Sequence, residues 1–136
     1  MRRKIEHTWF FNQAPELVWN YLVSPELLEQ WLMKNDFLPV VGHKFRFITQ
    51  SGKIINCQVS EVIPISRLSY SWQANSANGD TNFDTEVVWT IVPKKNGTEL
   101  HLVHNGFAAL EDYVGHDKGW TTLGDHFVEL LKPIKT

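Results

Sequence analysis

The sequence predicts an α+β fold in which a curved antiparallel sheet of about six strands wraps a long C-terminal helix, with two short helices after the first strand. Three observations carry this reading. Apolar and polar residues alternate with a period of two through most of the stretch from Gly42 to His104. Asn96-Gly97 lies between two such runs, where a tight hairpin of type I′ needs φ > 0 at both central positions. The period then changes: Trp120, Leu123, Phe127, Leu130 and Leu131 recur at spacings of three and four. A sheet with one apolar face must cover it, and the C-terminal helix is the only predicted element long enough to do so.

The elements follow in order. Ile5, His7, Trp9 and Phe11 share one face of an opening strand, with Lys4, Glu6 and Thr8 opposite. Pro15 suits the first turn of a helix, where its missing N–H needs no partner, and Val18, Tyr21 and Leu22 form its apolar stripe. Ser24-Pro25-Glu26 reads as a second helix start with a serine cap; Leu27, Leu28 and Trp31 face inward. Phe45 and Phe47 alternate with Lys44 and Arg46, and Ser51-Gly52 makes a turn. Lys53 to Ile63 is strand-like but loses its alternation near Glu61, which predicts a bulge. Leu68, Tyr70 and Trp72 alternate with Ser69, Ser71 and Gln73; a polar tip with Asn78-Gly79-Asp80 precedes a strand carrying Val87, Trp89 and Ile91. Leu100, Leu102 and His104 share a face of the returning strand. The final helix is predicted to run three to four turns. Gly119 and Gly124 are placed in it for close approach to the sheet, and Pro133 ends it.

Bulk properties set outer limits. The 136 residues suit one domain, residues 1–136, and 43% hydrophobic residues allow a sizeable core. Aromatics make up 12%, including six Trp, enough to line an apolar pocket as well as to fill a core. A net charge of −2 argues against nucleic acid or an anionic membrane as partner. Cys57 is the only cysteine, so no intrachain disulfide forms and a reducing, cytoplasmic setting is expected. No apolar run reaches the ~20 residues that span a bilayer, and Glu6, His7 and Asn12 interrupt any signal-peptide core after Met1-Arg2-Arg3-Lys4.

Several segments, in order, resemble a known family. Ala14-Pro15-Glu16-Leu17-Val18-Trp19, then Ser24-Pro25-Glu26-Leu27-Leu28 leading to Trp31, are similar to the opening of the activator of heat-shock-protein-90 ATPase homologue family, of the START-like (SRPBCC) superfamily. Pro64-Ile65-Ser66-Arg67-Leu68 through Trp72 resembles a further family segment, as do Gly97-Thr98-Glu99-Leu100, His104-Asn105-Gly106-Phe107, and Gly119-Trp120 with Leu123. Two positions depart from it: Ala14 stands where the family often has a Ser or Thr cap, and Cys57 near a position where it often has Gly. The resemblance implies the helix-grip (START-like) fold. For function it implies either binding of lipids, polyketides or other apolar molecules, or stimulation of a chaperone ATPase in the stress response.

Candidate site residues come from the covered face. Phe45, Phe47, Tyr70, Trp72, Trp89, His104, Trp120, Leu123 and Phe127 are expected to line a cavity between sheet and helix, with Tyr70 and His104 orienting a ligand through their polar atoms. Core packing, with His104 satisfied by Tyr70 or water, is the alternative for the same residues. His101 and His104 are three apart on a strand and face opposite sides, so they cannot chelate together, and no metal site or cofactor is expected. Asp112, Asp117 and Asp125 read as solvent charges, and Cys57 as an inert buried thiol. Trp31-Leu32-Met33 and Phe37-Leu38 form an apolar stretch suited to a partner surface, a cavity mouth, or packing on the rim.

No nucleophile elbow, phosphate loop or dinucleotide motif is present. The leading expectation is therefore a non-enzymatic binding domain for a small apolar or aromatic molecule, monomeric or weakly dimeric. A chaperone-regulating interaction domain comes second. A polyketide-cyclase-type enzyme with His104 as base comes third, because nothing accompanies that histidine as an acid–base partner.

Overall fold

The computed structural model describes residues 3–75 and 82–132. Strands β1 (Arg3–Phe11), β2 (Lys34–Asn35), β3 (Lys44–Ile48), β4 (Ile54–Ile63), β5 (Arg67–Asn75), β6 (Asn82–Lys94) and β7 (Gly97–Phe107) form one sheet. Its order is β1-β7-β6-β5-β4-β3-β2, with every pairing antiparallel. Helices α1 (Pro15–Val23) and α2 (Pro25–Trp31) follow β1, and α3 (Leu110–Leu130) closes the chain. The predicted fold class is the one observed. The strand absent from the sequence reading is β2, two residues too short to show any alternation.

Alternation places the core. Trp9 pairs with Leu100, Leu102 with Trp89, and Trp89 with Leu68, so these side chains meet on one face of the sheet. That face is buried beneath α1, α2 and α3. Phe127 of α3 stacks on Trp31 of α2 at 4.3 Å and tilts against Phe11 of β1 at 4.6 Å, which locks both helices to the first strand. Gly124 allows the close approach expected of it: a Cβ there would fall 2.1 Å from the Trp9 indole. Gly119 does not serve that purpose, since a Cβ there meets nothing within 4 Å.

Local expectations fare unevenly. The bulge near Glu61 is present as a register shift between Val59 and Glu61. Ala14 caps α1 without a side-chain hydrogen bond. Ser24 also fails to cap its helix, because its hydroxyl donates to the Glu26 carboxylate at 3.0 Å instead. The β6–β7 hairpin exists, but its loop is Lys95-Asn96, with Lys94 opposite Gly97. Asn96 has no positive φ, so the turn is not type I′. Gly97 is needed for a different reason: a Cβ on it would lie 2.0 Å from the Phe11 carbonyl oxygen at the end of β1. Helix α3 has 21 residues, about six turns rather than three to four. The polar tip with Asn78-Gly79-Asp80 and the helix stop at Pro133 lie outside the described residues.

Candidate functional site: a cleft between the sheet and the C-terminal helix

The N-terminal half of α3 does not seal against the sheet. It leaves a cleft of about 270 Å³ lined on the helix side by Glu111, Asp112, Gly115, His116, Gly119, Trp120 and Leu123. Trp72 of β5, Ile55 of β4, Lys53 just before it, and Met33 after α2 form the opposite wall. The spacing of the α3 residues, three or four apart, makes them one helix face.

Of the residues expected to line a cavity, Trp72, Trp120 and Leu123 do so. Phe45, Phe47, Tyr70, Trp89 and Phe127 instead pack among themselves and against other core side chains, and do not border the cleft. His104 is fully buried behind Trp120. Asp112, expected in solvent, is only 5% exposed and lines the cleft. Met33, from the apolar stretch that the sequence offered as a partner surface, a cavity mouth or rim packing, borders the cleft, whereas His116, Lys53 and Ile55 were not selected from the sequence as lining residues. For His116 a signal existed, since it stands four residues from both Asp112 and Trp120; it is visible only once the helix is known to extend back to Leu110.

The polar atoms behind the cleft form a defined proton chain. Trp120 Nε1–H donates to His104 Nδ1 at 2.9 Å. His104 must then carry its proton on Nε2, which donates to Thr85 Oγ1 at 2.7 Å, and the Thr85 hydroxyl donates to the Trp72 carbonyl at 2.8 Å. A second histidine repeats the pattern with the opposite tautomer: Trp72 Nε1–H donates to His116 Nε2 at 3.2 Å, while His116 Nδ1–H donates to the Asp112 carbonyl at 2.8 Å. Both rings are held neutral. Burial pulls His104 well below its ordinary value, and His116 adds to this. Burial also lowers His116, opposed by Asp112 and reinforced by the Lys53 charge. Cys57 is buried, and loss of solvent pushes its thiol far up, out of reach of nucleophilic use.

Tyr70 is occupied as well. Its hydroxyl accepts from Trp89 Nε1 at 2.9 Å, both groups being buried, and burial raises its phenol far above the usual value. Its hydroxyl partner is therefore Trp89, and neither a ligand nor His104 is required. Tyr70→Phe is accordingly expected to cost about 1–3 kcal/mol, because the Trp89 N–H is left buried without an acceptor, and to leave ligand affinity in the cleft unchanged. Urea melts and ligand titrations on this variant check both halves; a drop in affinity without a loss of stability would place Tyr70 at the ligand after all.

The sheet gripping a C-terminal helix, with a cleft at their junction, defines a START-like helix-grip protein. The profile of the family described as "Activator of Hsp90 ATPase homolog 1-like protein" matches residues 3–132, and the chain belongs to that family. Among solved structures, protein MLL2253 from Mesorhizobium loti is similar at 33% identity with a TM-score of 0.89, over 95% of this chain and 96% of that one. Bacillus halodurans protein BH1534 has 28% identity and a TM-score of 0.78, over 96% and 97% of the two chains. The Aha1 dimer from Colwellia psychrerythraea shares the fold at 19% identity and a TM-score of 0.81, over 98% and 99%. A comparison with curated proteins returns no match. Among the described residues no helix is long and apolar enough to cross a membrane, and no group of three or more His, Cys, Asp or Glu is placed to hold a metal ion.

Proposed function

We propose that residues 1–136 act as one cytoplasmic, non-enzymatic START-like domain that binds a small apolar or aromatic molecule in the cleft between sheet and α3. The observation that carries this reading is the cleft itself, a concavity of about 270 Å³ walled by Trp72, Trp120, Ile55, Met33 and Leu123. Trp72, Trp120 and Leu123 are the ligand contacts in this reading. His104 acts behind them by fixing the Trp120 indole. The non-enzymatic part is supported by the state of the two histidines. A general base needs a free lone pair near its substrate, whereas His104 Nδ1 and His116 Nε2 each already accept an indole N–H.

The second reading, regulation of a chaperone ATPase, draws support from the family description and from an exposed apolar loop. Leu38, Val40 and Val41 are 50%, 58% and 61% exposed between β2 and β3. The test distinguishes the two. Titration with 2-naphthol is expected to quench the tryptophan emission saturably at micromolar concentration, about −8 kcal/mol, with matching heat by calorimetry. The Leu123→Glu variant should abolish that response. No saturable change with naphthol or larger uncharged aromatics would overturn the ligand-binding reading and leave the loop as the functional surface.

A further inference from the structure

The α3 wall of the cleft has a gap where side chains would stand. Gly115 and Gly119 are one turn apart, both line the cleft, and a Cβ built on either meets nothing within 4 Å. Glycine inside a helix lowers its stability relative to alanine. Gly124 on the same helix is accounted for by the Trp9 ring packed against it. Gly115 and Gly119 have no such neighbour, and what lies in front of them is the cleft.

The other side chains of the cleft, Trp72 from β5 and Trp120 from α3 itself among them, add an independent constraint. The indole N–H groups of Trp72 and Trp120 are engaged by His116 and His104, and His116 also spends its own N–H on Asp112. The interior therefore offers ring surface, methyl and methylene groups, and exposed helix backbone. Charges of both signs, Lys53 against Glu111 and Asp112, border the cleft without favouring a single-sign ligand. The cleft, at about 270 Å³, is of the size to take a planar molecule of roughly three fused rings.

We propose that the ligand is an uncharged planar aromatic of about three rings. It slides between the wall of Trp72, Ile55 and Met33 and the bare backbone of α3, with Trp120 at the helix side, and Gly115 and Gly119 set the size limit. This rests on the reading of the cleft as a ligand site.

The experiment measures binding and stability on the same variants. Acridone, an uncharged planar three-ring fluorophore, is titrated against wild type, Gly115→Ala and Gly119→Ala, with 2-naphthol as the smaller probe. Each alanine is expected to raise the thermal midpoint by about 2–4 °C while weakening acridone at least tenfold and naphthol less. Variants that bind acridone as tightly as wild type would overturn the proposal. A lowered midpoint would do the same, because the glycines would then serve packing. Wild type binding naphthol but not acridone would overturn the ligand size. Wild type binding neither would sink the cleft reading itself, and this inference with it.

Discussion

Trp120→Ala is expected to lower the unfolding free energy by about 3–5 kcal/mol, the usual range for removing a buried large ring. The position explains the size. The Trp120 ring sits 5.3 Å from Trp72, 5.4 Å from Trp89 and 5.9 Å from His104, at the point where α3 meets the sheet. Its N–H is also the donor to His104 Nδ1, so truncation strands a buried acceptor as well as opening a cavity. Trp120→Phe keeps a ring in place and removes that donor, and should cost about 1–3 kcal/mol. Urea denaturation followed by circular dichroism, which does not depend on tryptophan emission, measures both variants. A wild-type midpoint for Trp120→Ala would mean that this residue does not hold α3 to the sheet.

Acid should destabilise the protein well above the carboxylate range. His104 and His116 both have lowered folded-state values, set first by burial. In the unfolded chain they take up protons near the ordinary value of 6.5, while in the fold they do not. Stability is therefore full above about pH 6.5 and falls as the pH drops below it, until each folded-state value is reached. Where both histidines contribute, the slope reaches at most about 2.7 kcal/mol per pH unit, at 1.36 for each proton taken up only on unfolding. The structural cause is plain for His104: a proton added to Nδ1 would face the Trp120 N–H, two donors with no acceptor between them. Urea midpoints between pH 7.5 and 5.5 test this, and a flat profile over that range would contradict the neutral locked pair.

The strands were legible because one face is buried and the other faces water. Tyr70 and Trp72 alternate with serines, and Leu100, Leu102 and His104 with residues of the other face, so period two marks each strand and the buried side at once. The C-terminal half of α3 was legible for the matching reason: Trp120 and Phe127 dock on a continuous core and keep a helical period. The half from Leu110 to Gly119 was missed because it covers a cleft. Its inward face carries Asp112, Gly115, His116 and Gly119, none of them an apolar marker, while Leu110 and Val114 point outward. The segment that builds the candidate site is thus the one whose pattern hides its secondary structure.

What the sequence by itself determined was the helix-grip architecture, the family, and the set of rings on the covered face. Periodicity and turn chemistry are local, and they act on every residue in its own neighbourhood. Only the tertiary structure decided which of those rings meet open space. Phe45, Phe47, Tyr70 and Trp89 have the same alternation as Trp72, and Phe127 stands on the same helical stripe as Trp120, yet they are enclosed by partners from distant parts of the chain. Hydrogen-bond assignment is likewise non-local. Tyr70 finds Trp89 across 19 residues, and Trp72 finds His116 across 44, and these pairings remove from the cleft the polar anchors that their side chains advertise in the sequence. A donor's availability depends on what three-dimensional packing places beside it, which no spacing along the chain encodes.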